Sequence, residues 1–99
     1  MSRVCRITPR ASRDIEAIAD YIAAQSTLEI AEQFLNDIDI IFQRLSQFPQ
    51  MGRKRDELYP NLRSFPYKKY LVFYRLLNDE IEVFRIVSGY QDLNSLFDK

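Results

Sequence analysis

The spacing of apolar residues changes once along this chain, and that change limits the fold more than any other feature. Up to residue 47 the apolar side chains recur with the helical period: Ile15, Ile18 and Ile22, then Ala31, Phe34, Leu35, Ile38, Ile41, Phe42 and Leu45. Residues 48–60 form the one long irregular stretch. Beyond it the period drops to two, and β-branched and aromatic residues crowd residues 62–65, 69–76 and 81–87. Helices followed by strands imply an α+β fold.

The ends of the segments carry their own signals. Residues 3–8 alternate weakly and predict a first strand. Thr8 can accept a hydrogen bond from an orphan helical N–H, and Pro9 loses nothing at the first helical position. Ser26-x-x-Glu29 has the form of a capping box and predicts the start of a second helix, which runs to about residues 46–47, before Pro49. A link of two or three residues makes the two helices an antiparallel hairpin with one shared apolar side. Residues 66–68 and 77–80, the latter holding Asn78-Asp79, separate the strands of a meander. Gly89 ends the last strand, and residues 92–97 predict a short C-terminal helical turn with Leu93, Leu96 and Phe97 inward. The expected order is β-α-α-β-β-β, with the helical hairpin packed on one face of a small antiparallel-rich sheet. No repeat, linker or low-complexity tract divides the 99 residues, so residues 1–99 read as a single domain.

The strand at 69–76 bears on function. Tyr70, Val72, Tyr74 and Leu76 share one face, while Leu71 and Phe73 share the other. A strand apolar on both faces needs cover on both. The helical hairpin reaches only one, so the second face is expected to be an apolar docking surface rimmed by Arg63 and Arg75.

Charge is segregated although the net charge is zero. Residues 14–43 hold seven acids and no base, and residues 44–75 hold eight bases against two acids. An acidic helical side and a basic sheet side suit an acidic partner or nucleic acid. The lone Cys5 cannot form an internal disulfide, the N-terminus lacks an apolar leader, and the longest apolar runs are far too short for a bilayer. Together these predict a cytoplasmic protein.

Much chemistry is excluded by composition. The chain has no histidine, which removes the usual general base and the commonest transition-metal ligand. One cysteine excludes cysteine-rich zinc sites, and two glycines exclude a glycine-rich phosphate cradle. The carboxylate pairs Asp37/Asp39 and Asp79/Glu80 read as solvated surface. Catalytic residues, metal and cofactors are therefore all expected to be absent. Arg, Lys and Tyr remain, and they offer only electrostatic stabilisation and weak proton transfer on a phosphodiester.

Several segments, in order and at matching spacing over nearly the whole chain, resemble the RelE/ParE toxin superfamily and its ParE branch above all. Ile18-Ala19-Asp20-Tyr21-Ile22-Ala23 is similar to the family's I-x-x-Y-I-A stretch. Pro49-Gln50-Met51-Gly52-Arg53-Lys54-Arg55 is similar to P-x-x-G-R-x-R. Leu62-Arg63-Ser64-Phe65-Pro66, Tyr70-Leu71-Val72-Phe73-Tyr74-Arg75 and residues 81–87 match the strands. The resemblance implies a toxin of a type II toxin–antitoxin pair that inhibits DNA gyrase by trapping the cleaved-DNA complex. It further implies a ParD-like antitoxin bound in a hetero-oligomer, and contact with operator DNA only through that antitoxin.

The resemblance also orders the alternatives. RelE-type members cut mRNA with two arginines and a tyrosine, whose places here hold Leu71, Gln91 and Phe97. Each replacement removes the polar group that chemistry needs. The ParE ending His-Gly-x-Arg-Asp reads Ser88-Gly89-Tyr90-Gln91-Asp92 here. Three readings stay open: a gyrase toxin, a ribosome-dependent mRNA endonuclease, and a degenerate member that binds antitoxin without harming the cell. The candidate antitoxin-binding residues are Arg63, Phe65, Leu71, Phe73 and Arg75. The candidate target-binding residues are Arg53, Arg55, Arg85, Tyr90 and Gln91.

Overall fold

The computed structural model describes residues 4–89. The C-terminal turn expected at residues 92–97 lies outside them. A strand β1 (Val4–Ile7) leads into helices α1 (Pro9–Gln25) and α2 (Leu28–Gln47), followed by β2 (Arg53–Lys54), β3 (Leu62–Tyr67), β4 (Tyr70–Leu77) and β5 (Glu80–Ser88). The helices pack on one face of a five-stranded sheet of order β1-β5-β4-β3-β2, in which β1 runs parallel to β5 and the other pairs are antiparallel.

Local chemistry accounts for the helix ends. Thr8 Oγ1 accepts from the Ala11 amide at 3.0 Å, and Pro9 opens α1. The second cap falls one residue later than the capping-box pattern predicts. Thr27 accepts from Ile30 N at 3.1 Å, while Ser26 closes α1 with its amide on Ile22 O. Glu29 still lies in the first turn of α2, where a carboxylate suits the helix dipole. The two-residue link folds the helices into the expected hairpin.

The sheet departs from the expected meander in three ways. Arg53 and Lys54 pair with Ser64 and Arg63, so a strand lies inside the stretch that reads as irregular. Pro66 belongs to β3 rather than to the turn. Because β2 reaches only Arg63 and Ser64, β3 is an edge at Pro66 and its missing N–H breaks no ladder. The third departure is a bulge in β5. Phe73 pairs with Arg85 and Tyr74 with Val83, leaving Phe84 unopposed and breaking the simple alternation of the strand.

The main core lies between the helices and the sheet. Phe34, Ile38, Ile41, Phe42 and Leu45 of α2 meet Tyr70, Val72, Tyr74, Ile81, Val83 and Ile86, with Ile15, Ile18 and Ile22 of α1 at its margin. Each fully buried side chain of this size stabilises by about 1.5–3 kcal/mol. On the other face Leu62, Phe73 and Val87 form a second, small core under Leu58 and Tyr59 of the connection before β3. No helix among the described residues is long and apolar enough to cross a membrane.

Candidate partner-binding surfaces

The second sheet face is roofed where it was expected to be open. Phe73 has no exposed surface, because Leu58 and Tyr59 close over it, and the prediction that it docks a partner is corrected accordingly. Arg75 is equally engaged. Its guanidinium lies 5.4 Å from the Tyr59 ring and 5.8 Å from the Phe84 ring, and its Nη2 donates to Glu82 Oε1 at 2.9 Å. Arg6 Nη2 reaches the other oxygen of Glu82 at 2.6 Å. Burial, the largest influence on this carboxyl, pushes its pKa upward, but Arg75 and Arg6 outweigh it and hold Glu82 below the usual glutamate range. Leu71 and Phe84 stay half-buried at the border of this small core.

Arg63 and Phe65 belong to the opposite face. The register pairs Phe65 with Val72 and Arg63 with Tyr74, and both partners lie in the main core. The five candidate antitoxin residues therefore divide between two sides of the sheet. Sequence alternation assigns faces within one strand, but only the pairing register relates the faces of two strands.

The candidate target residues separate as well. Arg53 is exposed. Arg55 donates to Glu57 at 2.9 Å and to Ser64 Oγ at 3.2 Å, and lies 5.9 Å from the centre of the Phe73 ring, so it braces the roof. Arg85 forms a two-pronged pair with Asp14 of α1, at 2.8 and 3.1 Å, and Asp14 also accepts from the Ile86 amide at 3.1 Å. Both side chains are under 15% exposed, at 14% and 13%, and the pair ties α1 to β5. Tyr90 and Gln91 lie outside the described residues.

Two other surfaces emerge from the packing. The first is a trough of about 370 Å³ between the outer flank of α1 and the ends of β4 and β5. Ile18, Tyr21, Tyr70 and Val87 line it, with the Asp14–Arg85 pair among its polar groups. Lys69 Nζ lies 6.0 Å from the centre of the Tyr21 ring and 5.7 Å from that of Tyr70. The trough adjoins a hollow of about 270 Å³, lined by Pro66, Lys68 and Leu71 and sharing Lys69 and Tyr70 with it. An apolar floor and two lysines result. The sequence signals were an aromatic on the polar flank of α1 and a Lys68-Lys69 turn, which nothing local connects.

The second surface is the connection from α2 to β2. Tyr74 Oη accepts from the Gly52 amide and donates to the Pro49 carbonyl, each at 2.8 Å. Arg63 Nη1 donates to the carbonyls of Gly52 at 2.8 Å and Gln50 at 3.3 Å. Gly52 is required by space: a Cβ there would stand 2.5 Å from the Tyr74 hydroxyl and 2.9 Å from Ser64 O. The loop so held presents Phe48 and Met51 outward, 62% and 38% exposed.

The titratable groups offer little at neutral pH. Burial, together with the hydrogen bond to Asp37, raises the Tyr67 hydroxyl to about 12. Burial also raises the Cys5 thiol. Among the described residues no cluster of three or more His, Cys, Asp or Glu side chains could hold a metal ion.

Comparison with known proteins places this geometry. The family model described as the ParE toxin of the type II toxin–antitoxin system parDE matches residues 5–93. The chain is 37% identical over 93 residues to Toxin ParE3 of Caulobacter vibrioides, covering 94% of this chain and 92% of the relative. It is 27% identical over 95 residues to Toxin ParE1 of Mycobacterium tuberculosis, covering 95% and 97%. A solved structure titled the chromosomal ParDE TA system from P. aeruginosa superposes with a TM-score of 0.76 at 24% identity, over 88% of this chain and 96% of that one. The toxin–antitoxin complex RelBE2 of M. tuberculosis gives 0.63 at 18% identity, over 89% and 99%. At these identities the two structures speak for the fold.

Proposed function

The chain belongs to the ParE toxin family of type II toxin–antitoxin systems, and on that premise we propose that it inhibits DNA gyrase by trapping the cleaved-DNA complex. A ParD-like antitoxin neutralises it in a cytoplasmic hetero-oligomer, and operator DNA is met only through that antitoxin. The observation that carries the reading is the family match over residues 5–93, which takes in both exposed surfaces and the segment after β5. Action by binding suits the chain. Leu71 stands where the RNA-cutting branch carries an arginine, and a leucine cannot stabilise charge on a phosphodiester.

The antitoxin's seat, in this reading, is the trough with its neighbouring hollow. Tyr21, Tyr70 and Leu71 offer apolar area, and Lys68 and Lys69 favour carboxylates, which together fit an amphipathic acidic segment. The deciding experiment incubates the purified, folded protein with gyrase, ATP and supercoiled plasmid. Cleaved plasmid should accumulate above the gyrase-only level. Intact plasmid at saturating protein overturns the gyrase assignment. Rapid mRNA loss on induced expression would instead place the chain with the RNA-cutting branch, and unimpaired growth would make it a non-toxic antitoxin binder.

A further inference from the structure

We propose that the loop of residues 48–53 is the surface by which this chain grips its protein target, seating Phe48 and Met51 in an apolar recess ringed by carboxylates. The proposal rests on the gyrase reading and adds to it the contacting element and the chemistry of the site it meets.

The loop is built unlike a simple connector. A fully buried tyrosine and a half-buried arginine direct four hydrogen bonds at three of its residues, Pro49, Gln50 and Gly52. Two further backbone bonds, Phe48 N to Arg44 O at 2.7 Å and Met51 N to Phe48 O at 3.0 Å, hold the turn closed. All this order fixes a backbone whose two largest apolar side chains point away from the core. Ordering of that kind contributes nothing to burial of Phe48, yet it lowers the entropy lost when a partner covers it. Aromatic anchors held in advance are the residues that carry most of the energy at protein interfaces.

The surroundings say which partner fits. Residues 40–55 contain Arg44, Arg53, Lys54 and Arg55 and no acid. Arg55 is tied to Glu57, whereas Arg44, Arg53 and Lys54, which flank the loop in the chain, are exposed, Lys54 beside a hollow that Asp56 also lines. A hollow of about 380 Å³ lies among Gln47, Phe48, Pro49, Gln50 and Met51, enough to admit a protruding side chain. Exposed cations flanking two apolar anchors in the chain complement an acidic rim around an apolar recess, which is protein chemistry. Phosphates would be met by the cations alone and would leave Phe48 and Met51 in water.

The test compares wild type with a Phe48→Ala/Met51→Ala variant and an Arg53→Glu/Lys54→Glu variant in the gyrase–plasmid cleavage assay. Thermal midpoints confirm folding, which is expected because all four side chains are exposed. The first variant should need about 30-fold more protein for equal cleavage, the loss typical of removing an interface anchor. The charge-reversed variant should lose activity most strongly at low salt. Wild-type-like cleavage by the first variant overturns the loop assignment while leaving the gyrase reading intact. An inert wild type removes the gyrase reading and this target with it. Affinity for the plasmid alone is measured in parallel. If the Phe48→Ala/Met51→Ala change weakens DNA binding as much as cleavage, the loop is a nucleic-acid contact and the proposal fails.

Discussion

The hydroxyl of Tyr74 lies 2.8 Å from the amide nitrogen of Gly52, and this contact joins the centre of the sheet to the loop between α2 and β2. The same hydroxyl donates to Pro49 O, so one fully buried tyrosine satisfies two backbone groups. Removing it by Tyr74→Phe leaves the Gly52 N–H without its acceptor and should cost about 1–3 kcal/mol. Gly52→Ala should cost a similar amount or more, because the ring it strikes is wholly buried and cannot swing aside. A lowered urea midpoint at unchanged slope is the signature of both; equal midpoints would mean that the loop is held by other means.

The Asp14–Arg85 pair makes a second prediction. Asp14→Ala strands a guanidinium at a mostly buried position and removes the acceptor of the Ile86 amide. The expected loss is about 3–5 kcal/mol, with α1 loosening from β5. Replacing both partners by apolar residues, Asp14→Leu with Arg85→Met, should recover part of that loss. Hydrogen exchange at Ile86 gives the local readout, and protection there in Asp14→Ala would contradict it.

Stability should fall at both ends of the pH scale, from different groups. Glu82 has its folded pKa lowered, so its contribution is present above the ordinary glutamate pKa of about 4.3 and is lost as the pH falls through its folded value. Tyr67 has its folded pKa raised to about 12. Its contribution is complete below the ordinary tyrosine pKa of about 10 and is lost as the pH rises from there toward the folded value. Glu82→Gln should flatten the acid limb of a denaturation series, and Tyr67→Phe the alkaline limb. An unaltered limb in either variant would remove that residue from the account.

The covered second face changes which mutation can probe binding. Phe73→Ala should cost about 3–5 kcal/mol by emptying the small core under Leu58 and Tyr59, and Phe73→Glu should cost more still. Leu71→Glu, at the half-buried border of that core, should leave the melting temperature within a few degrees. Calorimetry on the two variants checks this, and a stable Phe73→Glu protein would show that the roof opens freely.

Legibility in the sequence followed the range of the interactions. Thr8 and Pro9 announced α1, and the Ala31-to-Leu45 stripe announced α2, because caps and helical periodicity act within a few residues. The alternation of Tyr70, Val72 and Tyr74 against Leu71 and Phe73 was equally plain, and both sets are apolar packing surfaces. What covers the second set was not legible. Leu58 and Tyr59 sit in a stretch without periodicity, and nothing beside them in the chain names Phe73 as their neighbour. The arginines misled for a related reason. A cation in a motif looks the same whether it faces solvent, as Arg53 does, or closes on a carboxylate from another element, as Arg85 does on Asp14.

The sequence alone therefore determined both helices and the strands β1, β3, β4 and β5, though not the short β2, with their order and their apolar faces, together with the family likeness carried by motifs at matching spacing. Those depend on local steric preference and on side-chain period, both of which are written along the chain. Tertiary structure decided the parallel seat of β1 beside β5, the bulge at Phe84, the pairing of Asp14 with Arg85 and the roof over Phe73. It also decided which surfaces stayed open, the trough beside Tyr21 and the loop carrying Phe48. Those depend on distances between residues far apart in sequence, and such distances exist only once the sheet register has closed.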